Sequence, residues 1–272
     1  MRKGWGQTLR IGVSSHAVCL LRSSRWRAPV LLAEHAVASG AAASGEVFGA
    51  IGVALEQVLA GQEHVGWPVS FVLDDELVRL WQVTPPQGAS RLADIEAAAA
   101  MRFQSLYGGA AGDWNMVGSL DTRAAFFAAI PRALQAQLER AASVHGLRIV
   151  AIVPHFVQAW NRWQGGLKPG AWFGLLHEQL LTLGALENGR LRAVRTLPVP
   201  HGAEHYWLSQ MLTREALLLN LSPPTLLQLC GQGPLSWNQP NPGQIACAPL
   251  DLTQGAAGLS PAATLARSGS GA

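Results

Sequence analysis

Arg10-Ile11-Gly12-Val13-Ser14-Ser15-His16-Ala17-Val18 sets an apolar run on each side of a short polar turn. The flanking runs, Leu9 to Val13 and Ala17 to Arg22, carry the branched residues of paired strands, so the stretch predicts a β-hairpin opening the fold. A third strand is predicted at Val30 to Val37, followed by a Gly/Ala/Ser loop from Ser39 to Gly45. Glu46 to Leu59 then repeats Val47, Ile51, Leu55 and Val58 at helical spacing, with Ser44 placed to cap the helix.

Moving outward, Val69 to Val83 predicts two more strands around Asp74-Asp75-Glu76, and three adjacent acids between strands are expected to form a solvated hairpin tip, not a cation site. Leu92 to Tyr107 is an alanine-rich helix closed by Gly108-Gly109, and Trp114 to Leu120 is a short strand. Within the helical stretch Thr122 to His145, Pro131 belongs at the first turn of the main part, leaving Ala124 to Ile130 as a preceding strand. Leu147 to Val153 completes an α/β lobe of about 150 residues. Gln164 to Gly170 holds three glycines and a proline and is the predicted hinge. Beyond it, Trp172 to Leu186 and Arg190 to Val199 pair through Glu187-Asn188-Gly189, and Glu204 to Asn220 is helical. The expected division is a first lobe over 1–163, a hinge over 164–170, a reduced second lobe over 171–233, and a Pro/Gly-rich extension with a flexible tail over 234–272.

Composition narrows the function classes. The apolar fraction is 49% against 14% charged, which predicts apolar surface covered by another protein. The net charge of +3 comes from scattered basic residues, so nucleic-acid binding is not expected. Cys19, Cys230 and Cys247 form no C-x-x-C pair, as in a reducing compartment. No apolar run reaches the roughly 20 residues of a membrane span, and Arg10 with Ser14-Ser15-His16 interrupts any signal-peptide core, so a cytoplasmic chain is expected. His201 and His205 have metal-ligand spacing but straddle a predicted helix start with no third ligand in sight, and no metal is expected. Ser14, Ser15 and His16 are neighbours in one turn, outside any G-x-S-x-G elbow, so no catalytic residue is assigned. Trp160 and Trp163 at the predicted lobe junction are expected to pack between the lobes and, where exposed, to anchor a partner peptide.

Two glycine-containing hairpins, starting near Leu9 and near Trp172, open two similar halves. In this the chain resembles the PilM-type proteins of type IV pilus assembly and the cytoplasmic part of the GspL-type proteins of type II secretion, both degenerate relatives of actin-like ATPases. The resemblance is carried by Arg10 to Val18, by Ile130-Pro131 through Gly146-Leu147 to Phe156, and by Leu183 to Pro198. It implies an α/β, two-lobed actin-like (RNase H-like) fold with a truncated second lobe. Working members carry an aspartate beside the glycine of each hairpin to organise a magnesium nucleotide. This chain has Arg10 in the first, and no acid in Phe173-Gly174-Leu175-Leu176 of the second. Gly12, Ser14, Ser15 and Gly174 are thus degenerate phosphate-hairpin positions, with no cofactor expected. The resemblance further implies a non-enzymatic scaffold peripheral to the inner membrane. It would bind the cytoplasmic tail of a PilN-like membrane protein, with a secretion ATPase and self-association as further partners. The alternative is a divergent actin-like ATPase or sugar-kinase relative that still binds nucleotide.

Overall fold

The computed structural model describes residues 6–38, 44–61, 64–85, 88, 91–118, 125–239, 242–250 and 258–268. β1 (Gln7–Val13) and β2 (Ala17–Ser24) form the expected hairpin, with Arg10 opposite Leu21 and Gly12 opposite Cys19. Ser14 shapes its turn: the hydroxyl oxygen accepts the N–H groups of His16 and Ala17, the local bonding that makes serine a turn former. β3 (Arg27–Ala36) pairs with β2, and α1 (Ser44–Leu59) lays Ile51, Leu55 and Val58 on the face carrying Leu9, Ile11, Val18 and Leu20. β4 (Pro68–Leu73) then runs parallel to β1.

Asp74-Asp75-Glu76 departs from the expected hairpin tip. β4 and β5 (Arg79–Val83) lie in different sheets, and Asp75–Leu77 between them is a 3-10 turn. Asp74 and Asp75 are buried, because the turn stands beneath the second lobe instead of in solvent. β5 joins β6 (Trp114–Gly118) and β7 (Ala125–Pro131) in a small sheet of order β5-β7-β6. α2 (Leu92–Tyr107) covers it, with Trp81, Phe103 and Phe127 as the aromatic centre. Gly108 closes α2 in the left-handed conformation that glycine adopts without Cβ strain. α3 (Arg132–Val144) starts directly after Pro131, as predicted, and packs beside α1. β8 (Arg148–Pro154) completes the first sheet in the order β3-β2-β1-β4-β8. α4 (His155–Trp163) has no counterpart among the predicted elements; it follows β8 without a break and has no local side-chain cap.

The second lobe repeats the first. β9 (Ala171–His177), β10 (Leu180–Glu187), β11 (Arg190–Pro198), α5 (His205–Leu218), β12 (Leu226–Cys230) and β13 (Ala246–Pro249) give the sheet β11-β10-β9-β12-β13. In both sheets an antiparallel hairpin is followed by a third strand on one side and two parallel strands on the other. The predicted single strand Trp172 to Leu186 is two strands, turning at Glu178-Gln179 with Glu178 at φ 51°. Every residue of β9 is buried, so the chain reads as one continuous apolar run and hides the turn. Among the described residues the second lobe keeps a five-stranded sheet but has no counterpart of the small three-stranded sheet, and it has fewer helices. One 3-10 turn, Leu235–Asn238, separates β12 from β13, and the sheet therefore extends past the expected limit at 233.

The segment expected to be a flexible tail returns to the first lobe. α6 (Pro261–Arg267) is capped by Ser260, whose hydroxyl accepts the Ala263 N–H and donates to Glu34. It buries Ala262, Ala263 and Ala266 against Cys19 and Leu21, the face of the sheet opposite α1. Small residues allow this: a Cβ on Gly12 would stand 2.2 Å from the Ala262 carbonyl oxygen. The Arg10 guanidinium donates to the Ala266 carbonyl at 2.9 Å. Residues 251–257 and 269–272 of the expected tail lie outside the described residues.

Burial beneath α6, reinforced by Glu34, pushes the Cys19 thiol up to about 12. A thiol-specific chromophoric reagent at pH 8 should therefore spare Cys19 in the native chain. Gly12→Ala is expected to displace α6, lower stability by about 1–3 kcal/mol and make Cys19 reactive.

Candidate functional site

The two hairpin turns, Ser14-Ser15-His16 and Glu178-Gln179, face each other across a cleft of about 410 Å³. His16, Asp74, Glu76, His177, Glu178 and Gln179 line it. The first turn presents the Ser15 N–H, the kind of backbone donor that holds an anion. That donor is already engaged: Glu76 Oε1 accepts it at 2.8 Å. The protein's own carboxylate thus occupies the anion-holding position of the first hairpin.

Behind the turns lies a buried polar layer. Asp75 Oδ1 accepts the Phe156 N–H at 3.0 Å, and Oδ2 accepts the Thr182 hydroxyl at 2.9 Å. The carboxylate supplies α4 with the N-terminal acceptor its own sequence lacks, while holding β10 of the other lobe. Burial raises Asp75 to about 6, and the two hydrogen bonds it accepts restrain the rise. Asp74 is raised to about 8, chiefly by burial and then by the carboxylates of Glu76 and Asp75. Burial lowers His177 to about 4, opposed by Glu76, and lowers His155 to about 3, with His177 adding to the effect. His177 Nε2 lies 3.3 Å from Asp74 Oδ2, and burial disfavours the charged form of each. Asp74, His177 and Glu178 each bring a ligand-type atom within 4.8 Å of the others.

Of the residues singled out from the sequence, Ser14 and Ser15 are at the cleft turn. Gly12 instead faces α6, and Gly174 sits mid-strand, where a Cβ would stand 3.1 Å from the tips of Leu227 and Leu229. Both glycines allow close packing where they stand. Trp160 stacks on Phe156 and meets Phe173 of β9 edge-on at 5.7 Å, binding the lobes through an aromatic trio. Trp163 packs against the same core and lies beneath the Arg162 guanidinium. His201 is exposed and His205 is buried against Gln244, so the two do not converge. His155, His177 and Thr182 went unnoticed in the sequence, and Asp75 was read there only as part of a solvated Asp74-Asp75-Glu76 tip.

Trp160 also lines a second cavity of about 730 Å³. Its walls are Val117 of β6, Phe126 of β7, Ile152 of β8, Val157 of α4 and Leu191 of β11. Gln82 Nε2 donates to the Leu191 carbonyl at 2.6 Å and fixes the small sheet to the second lobe at the groove's end. β6 and β8 are both edge strands, with backbone groups unmatched by a neighbouring strand on one side.

Asp75→Ala leaves the Phe156 N–H and the Thr182 hydroxyl without their acceptor. It is expected to cost about 2–4 kcal/mol by chemical denaturation at pH 7.5. Thr182→Val should cost about 1 kcal/mol alone and markedly less in the Asp75→Ala background, since the two share one bond.

The chain matches no protein-family model and no curated protein. Among solved structures, it is similar to the cytoplasmic domain of EpsL, an inner-membrane component of the type II secretion system of Vibrio cholerae. That likeness has 15% identity and a TM-score of 0.58, and covers 90% of each chain. A Bacteroides thetaiotaomicron protein of unknown function with an actin-like ATPase fold matches at 12% identity and a TM-score of 0.58, over 85% of this chain and 84% of that one. A PilM-PilN type IV pilus biogenesis complex matches at 17% identity and a TM-score of 0.47, over 79% and 66% respectively. The chain has the two-lobed α/β fold of the actin-like ATPases.

Proposed function

We propose that this chain is a nucleotide-independent scaffold of a type IV pilus or type II secretion assembly platform. In this reading it works at the cytoplasmic face of the inner membrane and holds the tail of a PilN-like membrane protein. The observation that carries the reading is Glu76 bonded to the Ser15 N–H: the turn that would hold a phosphate is filled by a carboxylate. Glu178 and Asp74 add acidic groups to the same cleft, a poor setting for a triphosphate. The EpsL likeness shows the fold, and the scaffold role is inferred from it together with the filled turn. Among the described residues no helix is long and apolar enough to cross a membrane.

The groove beside Trp160 is the docking place in this reading. It is apolar at its floor and bordered by the open edges of β6 and β8, so an extended peptide can add backbone hydrogen bonds while seating side chains between Val117, Phe126 and Trp160. Arg190 at its end favours an acidic residue in that peptide, while the neighbouring Arg192 is paired with Glu187.

Calorimetry with ATP and magnesium should show no saturable binding. Saturable binding in the micromolar range would restore the enzymatic alternative. A photo-crosslinker at position 117 should capture the cytoplasmic tail of a single-span inner-membrane protein from native membranes. Trp160→Ala should reduce that capture about tenfold. Crosslinks confined to soluble proteins would remove the scaffold reading.

A further inference from the structure

We infer that Asp74, His177 and Glu178 form a binding site for a divalent transition-metal ion of the zinc class. Asp74 comes from the turn after β4 and His177-Glu178 from the end of β9 in the other lobe, yet one ligand atom of each lies within 4.8 Å of the other two. Ligands about 2.0–2.2 Å from a tetrahedral zinc ion stand roughly 3.5 Å apart, so only a modest contraction is required.

His177 supplies the second, independent observation. Its side chain is 7% exposed, and Nε2 has no hydrogen-bond partner of good geometry although the Asp74 carboxyl is 3.3 Å away. An unsatisfied buried imidazole nitrogen directed at a carboxyl group is uncommon in a finished core and is accounted for by an ion between them. Glu178 completes the set from the outside. It is exposed, at the left-handed corner of the β9–β10 turn, and free to swing its carboxylate over the other two. The cleft of about 410 Å³ provides room for the ion and its remaining waters.

The donor set selects the metal. Magnesium favours six oxygen ligands and parts with water reluctantly, whereas one imidazole and two carboxylates suit zinc and its neighbours. The ligands are not the hairpin aspartates of a nucleotide-hydrolysing relative, and the site requires no nucleotide. Three protein ligands leave at least one coordination position to water or to a group from a partner. Because Asp74 belongs to the first lobe and the other two to the second, the ion clamps the lobes together.

The test uses the untagged full chain, freed of metal by chelation. Zinc titrated by calorimetry should bind at one ion per chain and raise the melting temperature in proportion to the logarithm of free zinc. Cobalt as a substitute should give visible bands of a four- or five-coordinate nitrogen and oxygen site, without the charge-transfer absorption of a thiolate. Glu178→Gln, an exposed change, should keep the metal-free melting temperature and weaken zinc binding about tenfold or more. His177→Gln should abolish the melting-temperature increase. Absence of stoichiometric binding in the native chain overturns the inference, as does zinc bound equally well by both variants. A thiolate band in the cobalt spectrum would also overturn it, by assigning the ion to the cysteines.

Discussion

The Asp75 carboxylate is the group on which the arrangement of the lobes depends. It is 5% exposed and holds three elements distant in sequence: the turn after β4, the start of α4 and the middle of β10. A buried carboxylate is costly unless its oxygens are engaged, and here each oxygen accepts one hydrogen bond from a different element. The direction of α4 follows from this anchor. α4 in turn places Phe156 and Trp160 against Phe173, and through them the first lobe's core extends to Leu175 and Val194 of the second, whose own core around Trp172, Leu208 and Trp237 stays separate. The groove beside Trp160 is a by-product of the same geometry, since its walls are the elements that Asp75 and Gln82 hold in place.

The cleft sets two ordered backbone turns against a group of converging acids. Its backbone turns are retained, with Ser14 still ordering the first and Glu178 the corner of the second. Carboxyl groups converge there, and burial raises Asp74 above the ordinary carboxylate range while holding the two histidines in their neutral form. Such a cleft suits a cation or a neutral, static junction better than a phosphorylated ligand.

The sequence was most legible where a local rule dominates. Ser14-Ser15-His16 and Asn188-Gly189 announced their turns, and both bear out, the latter with φ of 51° and 73°. Gly108 stopped α2 and Pro131 opened α3 where helix-capping rules put them. Reading failed where distant contacts override local signals. β9 is buried along its whole length, so no alternation marked its end at His177. Asp74 and Asp75 looked like a solvated tip because nothing in their neighbourhood shows that Thr182 and Phe156 will close over them. α4 begins without a capping residue of its own because its cap lies 81 positions away. The seven residues of α6 carry too little apolar bulk to be read as a buried helix, and they are buried because Gly12 and Cys19 leave a shallow bed of matching depth.

The strand opening the first sheet is finished only by a helix some 250 residues later, with Arg10 and Ala266 in direct contact across 256 positions. Until that helix arrives, Cys19 and Leu21 present a greasy, unlidded sheet face. A nascent chain emerging from the ribosome must therefore carry an incomplete first lobe until Pro261–Arg267 has been made. Long-range closure of this kind is slow, and it leaves sticky surface open to premature association in the interval. Maturation of this protein should thus be sensitive to chaperone supply during translation to a degree that the stability of the finished molecule would not suggest.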